Sequence, residues 1–303
     1  MAKPLIIGTR DSELALWQAK TIQNQLADKG YRSELKKVKS TGDLNLNQPL
    51  YEMGITGIFT KTLDVALIND EIDIAVHSMK DVPTQLPKTI VEGAIIDRAT
   101  HHDVLIPKKE LDTNKSITIA TGSLRRKAQW LYRYPHHQTE NIRGNVQTRM
   151  RKLQETGHWK GAIFAKAGLQ RMEMLPSEAV VLDWMLAAPA QGAILAVTRE
   201  HHDLARKALN EIHKVDVAAC VHQERGFLKR LEGGCTAPIG ALAVIRNEEM
   251  YFQGNLTSLD GKRQFKVEKA VSLDQADHLG ENCADDILAQ GGDKLMKQLR
   301  EVL

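Results

Sequence analysis

The sequence predicts an α/β protein with two similar strand-and-helix units, followed by a small antiparallel sheet covered by helices. Three observations carry this prediction. Short apolar runs alternate with helical-period stretches from the start of the chain, the alternation begins again near residue 100, and the last third changes to period-two runs. At 303 residues the chain exceeds one comfortable core and calls for two or three domains. Its 42% hydrophobic and 26% charged residues are those of a folded soluble protein rather than a disordered or fibrous one.

Leu5-Ile6-Ile7-Gly8 reads as a buried strand, and Asp11 or Ser12 is placed to cap the helix that follows. In that helix Ala15, Ala19, Ile22 and Leu26 recur at helical spacing until Gly30 stops it. A second helix is expected from Phe59 to Asn69. Ile72 to Val76 forms a short apolar strand that delivers His77, Ser78, Lys80 and Asp81 at its carboxyl end, where open α/β sheets bind ligands. In the second unit a strand over 117–120 runs through Thr121-Gly122-Ser123 into a helix over 124–134. Gly144-Asn145 precedes a helix over 146–154, and a strand returns at 161–165. Pro189-Ala190-Gln191-Gly192 then introduces a strand over 193–197. Two such units joined by short crossovers would leave a cleft between them.

The last third predicts a helix over 215–230, a loop around Cys235, and strands at 239–245, 250–258 and 263–271. Asp260-Gly261 supplies the last hairpin turn, and helices near 274–290 and 294–302 finish the pattern. Cys235 lies in Leu231-Glu232-Gly233-Gly234-Cys235-Thr236-Ala237-Pro238. The glycines free the backbone before the thiol and the proline stiffens the exit, which points to a cysteine displayed for chemistry. Cys220 and Cys283 fall in helical patterns and read as packing residues. Three cysteines at unrelated spacings make neither a disulfide framework nor a zinc site. The start lacks a signal-peptide pattern and no apolar run reaches the roughly 18–20 residues that span a bilayer, so the cytoplasm is the expected compartment.

A net charge of +3 argues against a polycation that binds nucleic acid, but the distribution is uneven. Residues 121–152 carry eight Lys/Arg against one acid, Glu140, a local excess suited to an anionic ligand or to a solvated basic face. Thr121-Gly122-Ser123-Leu124-Arg125-Arg126 is the clearest anion signal: a helix start with free N–H groups, two hydroxyls and two forked guanidiniums. An ordinary serine cap with solvated arginines would use the same residues. Arg143-Gly144-Asn145 with Arg149, and Arg10-Asp11-Ser12, are two further junctions of this kind. His77-Ser78-Met79-Lys80-Asp81 places acid/base groups on one strand end, where a polar loop satisfying its own backbone is the alternative. A Ser-His-Asp hydrolase is disfavoured because no Gly-x-Ser-x-Gly elbow accompanies them. The pairs His101-His102, His136-His137 and His201-His202 have no metal-ligand spacing, and no metal is expected.

Taken together, these segments closely resemble the porphobilinogen deaminase family, also called hydroxymethylbilane synthases. The matching stretches are Gly8 to Gln18, Asp73 to Pro83 (with His77-Ser78-Met79-Lys80-Asp81-Val82-Pro83), Gly122 to Arg126, Arg143 to Val146, and Leu231 to Cys235. They follow the family order over nearly the whole chain. The resemblance implies three α/β domains, the first two periplasmic-binding-protein-like around a cleft and the third a small antiparallel sheet with helices carrying the cofactor cysteine. The corresponding boundaries are 1–97 with 191–212, then 98–190, then 213–303.

It also implies a transferase that condenses four porphobilinogen molecules head to tail, releases ammonia at each step and yields the linear tetrapyrrole hydroxymethylbilane. A dipyrromethane cofactor would be held by a thioether to Cys235, and the catalytic carboxylate maps to Asp81. Each porphobilinogen brings an acetate and a propionate, so charge accumulates along the growing chain. Arg10, Arg125, Arg126, Arg143, Arg149 and Arg171 are the expected carboxylate partners, with Ser12, Ser78, Thr121 and Ser123 as hydroxyl donors. Lys61, His77, Lys80, Gly144, Gln191 and Gly192 complete the expected binding set. A non-catalytic carboxylate-binding protein of the same fold is the alternative. Partners beyond porphobilinogen, whether nucleic acid, membrane or further subunits, are not expected, so the protein is read as a monomer. Several positions depart from the family pattern. Thr56 replaces a loop lysine within Gly54 to Phe59, Gly122 replaces a serine and removes a hydroxyl, Ala190 replaces a glycine at a possible hinge, and Lys166 adds charge at a usually apolar place.

Overall fold

The computed structural model describes residues 3–38, 60–232, 234 and 237–302. In chain order, the first part holds β1 (Leu5–Thr9), α1 (Glu13–Asp28), β2 (Ser33–Lys37), α2 (Lys61–Ile68), β3 (Ile74–Ser78) and β4 (Ile90–Ile95). Next come β5 (Asp103–Pro107), β6 (Thr118–Ala120), α3 (Leu124–Arg133), β7 (Gln138–Glu140), α4 (Val146–Glu155), β8 (Trp159–Ala165), α5 (Lys166–Arg171) and β9 (Val180–Leu182). The chain continues with β10 (Ile194–Arg199), α6 (Asp203–Asn210), α7 (Val215–Arg230), β11 (Ile239–Arg246), β12 (Glu249–Thr257), β13 (Gln264–Ser272), α8 (Leu279–Ile287) and α9 (Asp293–Arg300). Among the described residues, one compact unit comprises 3–38, 60–99 and 192–218, and the other 100–191 and 219–302.

The first unit is a five-stranded sheet in the order β2-β1-β3-β10-β4, and the second contains a sheet ordered β7-β6-β8-β5-β9. The two sheets repeat one plan. In each, the second strand in spatial order, β1 or β6, pairs in parallel with both its neighbours, and the remaining two pairings are antiparallel. The antiparallel inner strand, β10 or β5, is in each case supplied after the chain has crossed from the other unit. This is the periplasmic-binding-protein-like architecture expected above. Parallel strands need a covering helix, and α1 supplies it: Ala15, Ala19, Ile22 and Leu26 are buried on one stripe, the last three in one core with Ile7, Ile74 and Val76.

The second unit also carries the three-stranded meander β11-β12-β13. Its last turn is closed by Asp260, whose Oδ1 accepts from Ser258 Oγ at 2.6 Å and from the Lys262 amide at 3.1 Å. Helices α7, α8 and α9 cover this sheet, burying Phe227, Phe252, Leu279, Ile287 and Leu295 in one core. Cys220 and Cys283 are buried in the same core, as packing residues should be, and burial pushes the Cys283 thiol up to about 11.

A buried carboxylate ties this core to the crossover ahead of β10. Glu224 on α7 is fully buried; it accepts from the Ala190 amide at 2.6 Å and from the Ala243 amide at 2.8 Å. Ala190 sits at φ 61°, a conformation that costs an L-residue about 1–2 kcal/mol. The position expected as a possible hinge is therefore held in a glycine-like geometry by a charged hydrogen bond. Both of these amides are donors, so an amide group in place of the carboxylate would turn NH2 toward N–H. Glu224→Gln is expected to lower stability by about 3 kcal/mol, read as a shift of the urea midpoint at unchanged slope.

Candidate active site

In the first unit the site residues gather where β1 and β3 end. Arg10 follows β1, and Ser12 caps α1 by accepting from the Ala15 amide at 3.3 Å. Ser78 closes β3 and is fixed by Gln18 of α1, whose Nε2 donates to its hydroxyl at 2.8 Å. The backbone then tightens into a single 3₁₀ turn, Met79–Asp81, with Met79 buried as its anchor. That turn presents Lys80 and Asp81 half-buried. Among the described residues no side chain or amide pairs with the Asp81 carboxylate. His77 is buried on β3; burial, with the nearby Arg10 charge, pushes its imidazole down to about 4 and keeps it neutral near pH 7. Its Nε2 carries no hydrogen bond among the described residues. Lys61 stands exposed as the first residue of α2.

In the second unit the equivalent strand ends carry basic groups. Ser123 caps α3, accepting from the Arg126 amide at 3.4 Å, and Thr121 Oγ1 accepts from the Ser123 amide at 3.3 Å. Asn145 caps α4, accepting from the Thr148 amide at 2.8 Å, while Arg149 Nε donates to the Gly144 carbonyl at 2.8 Å. Gly144 takes positive φ, as does Gly192 of the first unit. Arg125, Arg126 and Arg143 are buried, and Arg171 on α5 is half-buried. Burial lowers Arg125 and Arg143 and pushes Arg171 down to about 10. Such an environment favours an anionic partner over a neutral one.

Three side chains were not legible in the sequence. Asp103, the first residue of β5, is fully buried and accepts from both Arg125 and Arg126. Burial alone would raise its carboxyl, but the two guanidiniums hold it well below the usual carboxylate range. The donors expected to face ligand are thus partly spent on the protein itself: Arg125 also donates to the Leu186 carbonyl and Arg126 to that of Ile163. Gln191 joins the same group, donating to Asp103 Oδ1 at 2.9 Å and to the His101 carbonyl at 2.7 Å. Gln18 and Glu224 are the other two. Each lies far in sequence from what it holds, and no spacing rule connects them.

Gly122 has a packing reason beyond a lost hydroxyl. A Cβ there would stand 2.5 Å from the Ile142 carbonyl oxygen, so the loop leading to Arg143 closes against this glycine. Lys166 heads α5, half-buried. The histidine pairs have structural partners: His202 Nδ1 caps α6 through the Ala205 amide, its Nε2 faces Asp73 at 2.9 Å, and His136 and His137 both contact the Thr113 carbonyl. Among the described residues no group of three His, Cys, Asp or Glu could hold a metal. No described helix is long and apolar enough to cross a membrane. Cys235, Thr56 and the Gly54 to Phe59 segment lie outside the described residues.

Two family models match this chain. One, "Porphobilinogen deaminase, dipyromethane cofactor binding domain", covers residues 5–207, and "Porphobilinogen deaminase, C-terminal domain" covers 218–289. The chain is 38% identical over 317 residues to the porphobilinogen deaminase of Chlorobium phaeobacteroides, spanning 99% of each. It is 37% identical over 312 residues to that of Chloroherpeton thalassium, again 99% of each. With the Carboxydothermus hydrogenoformans enzyme it shares 39% over 307 residues, 99% of this chain and 98% of that one.

The buried imidazole at the end of β3 gives the site a pH signature. His77 has a folded value of about 4, below its ordinary 6.5, so the unfolded chain takes up the proton first as pH falls. Stability is then full above pH 6.5 and declines toward pH 4 by about 3 kcal/mol from this group. Urea unfolding across that range should show the decline, and His77→Gln should flatten it; an identical slope in the variant would assign the decline elsewhere.

Proposed function

We propose, for a chain that belongs to the porphobilinogen deaminase family, that Asp81 carries the coupling chemistry and Cys235 the cofactor. The reaction is the family's: porphobilinogen is polymerised with loss of ammonia to hydroxymethylbilane, the linear precursor of tetrapyrroles. When bound, dipyrromethane supplies the free pyrrole α-carbon from which the chain grows. Cys235 holds it as a thioether, since a carbon–sulfur bond survives repeated turnover and final hydrolysis of the product.

The observation that carries the Asp81 assignment is its half-buried carboxylate, unpaired among the described residues, on a rigid turn at the end of β3. A carboxylate placed there accepts from pyrrole N–H groups. It stabilises the positive charge that develops on a ring as ammonia leaves, and in a site shielded from water this stabilisation exceeds its value in bulk. Arg10, Ser12, Lys61, Ser78 and Lys80 bind substrate carboxylates from the first unit. Thr121, Ser123, Arg125, Arg126, Arg143, Arg149 and Arg171 do so from the second, together with backbone at Gly144, and Gly192 adds backbone from the first. Neutral His77 donates a hydrogen bond without adding charge beside Arg10. Gln191 acts from the crossover. With a net charge of only +3, the chain is assigned as a cytoplasmic monomer that acts on a diffusible anion without nucleic-acid or membrane partners.

Asp81→Ala should fold and load the cofactor but lose about 10³-fold in turnover, measured as ammonia release per mole of holoprotein. Near-normal release would remove Asp81 from the chemistry. Cys235→Ser should fold yet match its bare sequence mass and give no red colour with Ehrlich's reagent, whereas the parent exceeds its sequence mass by one dipyrromethane. A full adduct on the serine variant would place the attachment elsewhere.

A further inference from the structure

We propose that Asp103 is a positioning residue: it locks Arg125 and Arg126 in one orientation, so that their remaining N–H groups meet a carboxylate of the bound pyrrole chain. This rests on the reading above that these two arginines bind carboxylates.

Consecutive residues on a helix point about 100° apart, so Arg125 and Arg126 do not converge by helical geometry alone. Asp103 makes them converge. Its Oδ2 accepts from Arg125 Nη2 at 2.7 Å, and its Oδ1 accepts from Arg126 Nε at 3.1 Å and Nη2 at 2.8 Å. Backbone carbonyls finish the alignment: Leu186 takes Arg125 Nη1 at 2.6 Å, and Ile163 takes Arg126 Nη1 at 3.2 Å. Gln191, bonded both to Asp103 and to the His101 carbonyl, fixes the carboxylate plane independently of the arginines.

The trio is incomplete in two respects. A guanidinium has five N–H groups; these bonds use two on Arg125 and three on Arg126, and Arg125 Nε is buried with no hydrogen-bond partner. The charge is also unbalanced: two guanidiniums, 3% and 5% exposed, face one carboxylate that is 0% exposed, leaving one positive charge over. Buried charge of this kind requires an anion, and a planar group with two acceptor oxygens matches the donors left. The acetate and propionate arms of porphobilinogen are such groups. Asp103 therefore provides aim, and the charge left over provides attraction.

The test compares Asp103→Asn, Asp103→Glu and Arg126→Leu as cofactor-loaded enzyme, with kcat and KM measured per mole of holoprotein counted by intact mass. The asparagine leaves both arginines charged but unaimed, so kcat should fall at least 30-fold while KM rises less than threefold. The glutamate keeps the charge and displaces it by one methylene, and should lower kcat in the same sense. Wild-type kcat in either loaded Asp103 variant overturns the proposal, as does failure of both to fold by circular dichroism, which would make Asp103 a scaffold residue only. Native folding without cofactor loading in both supports it, because the cofactor's own carboxylates would then have lost their seat. Arg126→Leu separates the two levels. Normal kcat and KM there would defeat the underlying reading of the arginines, whereas a defect in Arg126→Leu beside an active Asp103→Asn would defeat the positioning role alone.

Discussion

A guanidinium taken out of water costs several kcal/mol unless an anion meets it, and the second unit of this protein buries several of them. Arg125, Arg126 and Arg143 are buried outright, and Arg171 is desolvated enough to lower its proton affinity. Asp103 balances part of this charge from inside the protein. Each of these guanidiniums is held in place by the fold rather than by solvent. Asp103 and the two arginines paired with it are aligned with one another by the protein alone.

The repeated sheet plan determines where such groups can be placed. In both units the strand with two parallel neighbours, β1 or β6, and its inner parallel neighbour, β3 or β8, deliver their carboxyl ends into helix starts or tight turns. Arg10 and Ser12 follow β1 as Thr121 and Ser123 follow β6. The turn Met79–Asp81 follows β3, and α5 with Lys166 and Arg171 follows β8. One scaffold thus carries opposite specialisations. The first unit carries Asp81, unpaired among the described residues, on the turn after the strand that holds a neutral imidazole, and the second carries buried guanidiniums. Crossing of the chain between the units gives each sheet its antiparallel inner strand, and the crossovers are held by buried polar ties, Gln191 to Asp103 and Glu224 to Ala190.

Elements with a strong apolar period or a cap were legible in sequence. Helix α7 spans Val215–Arg230 as its periodicity indicated, and Ser12 and Ser123 cap the helices they precede. The strands that escaped notice were mostly sheet edges. β2, β7 and β9 are largely exposed and short on alternation, because an edge strand has one neighbour and less to bury. β5 was missed for another reason: it begins on a charged residue, Asp103, and ends on Pro107, which masks a fully buried apolar centre.

The sequence by itself determined the fold class, the family and the residue types at the site, since these depend on local periodicity, turn chemistry and short contiguous motifs. Only the tertiary structure decided how those residues are used. Whether an arginine is a solvated surface charge or a buried one depends on what the fold brings to it, and a carboxylate 22 residues upstream in the chain meets Arg125 at 2.7 Å. Electrostatic partners are chosen by distance in space, and distance in space between remote segments exists only once the sheets have closed.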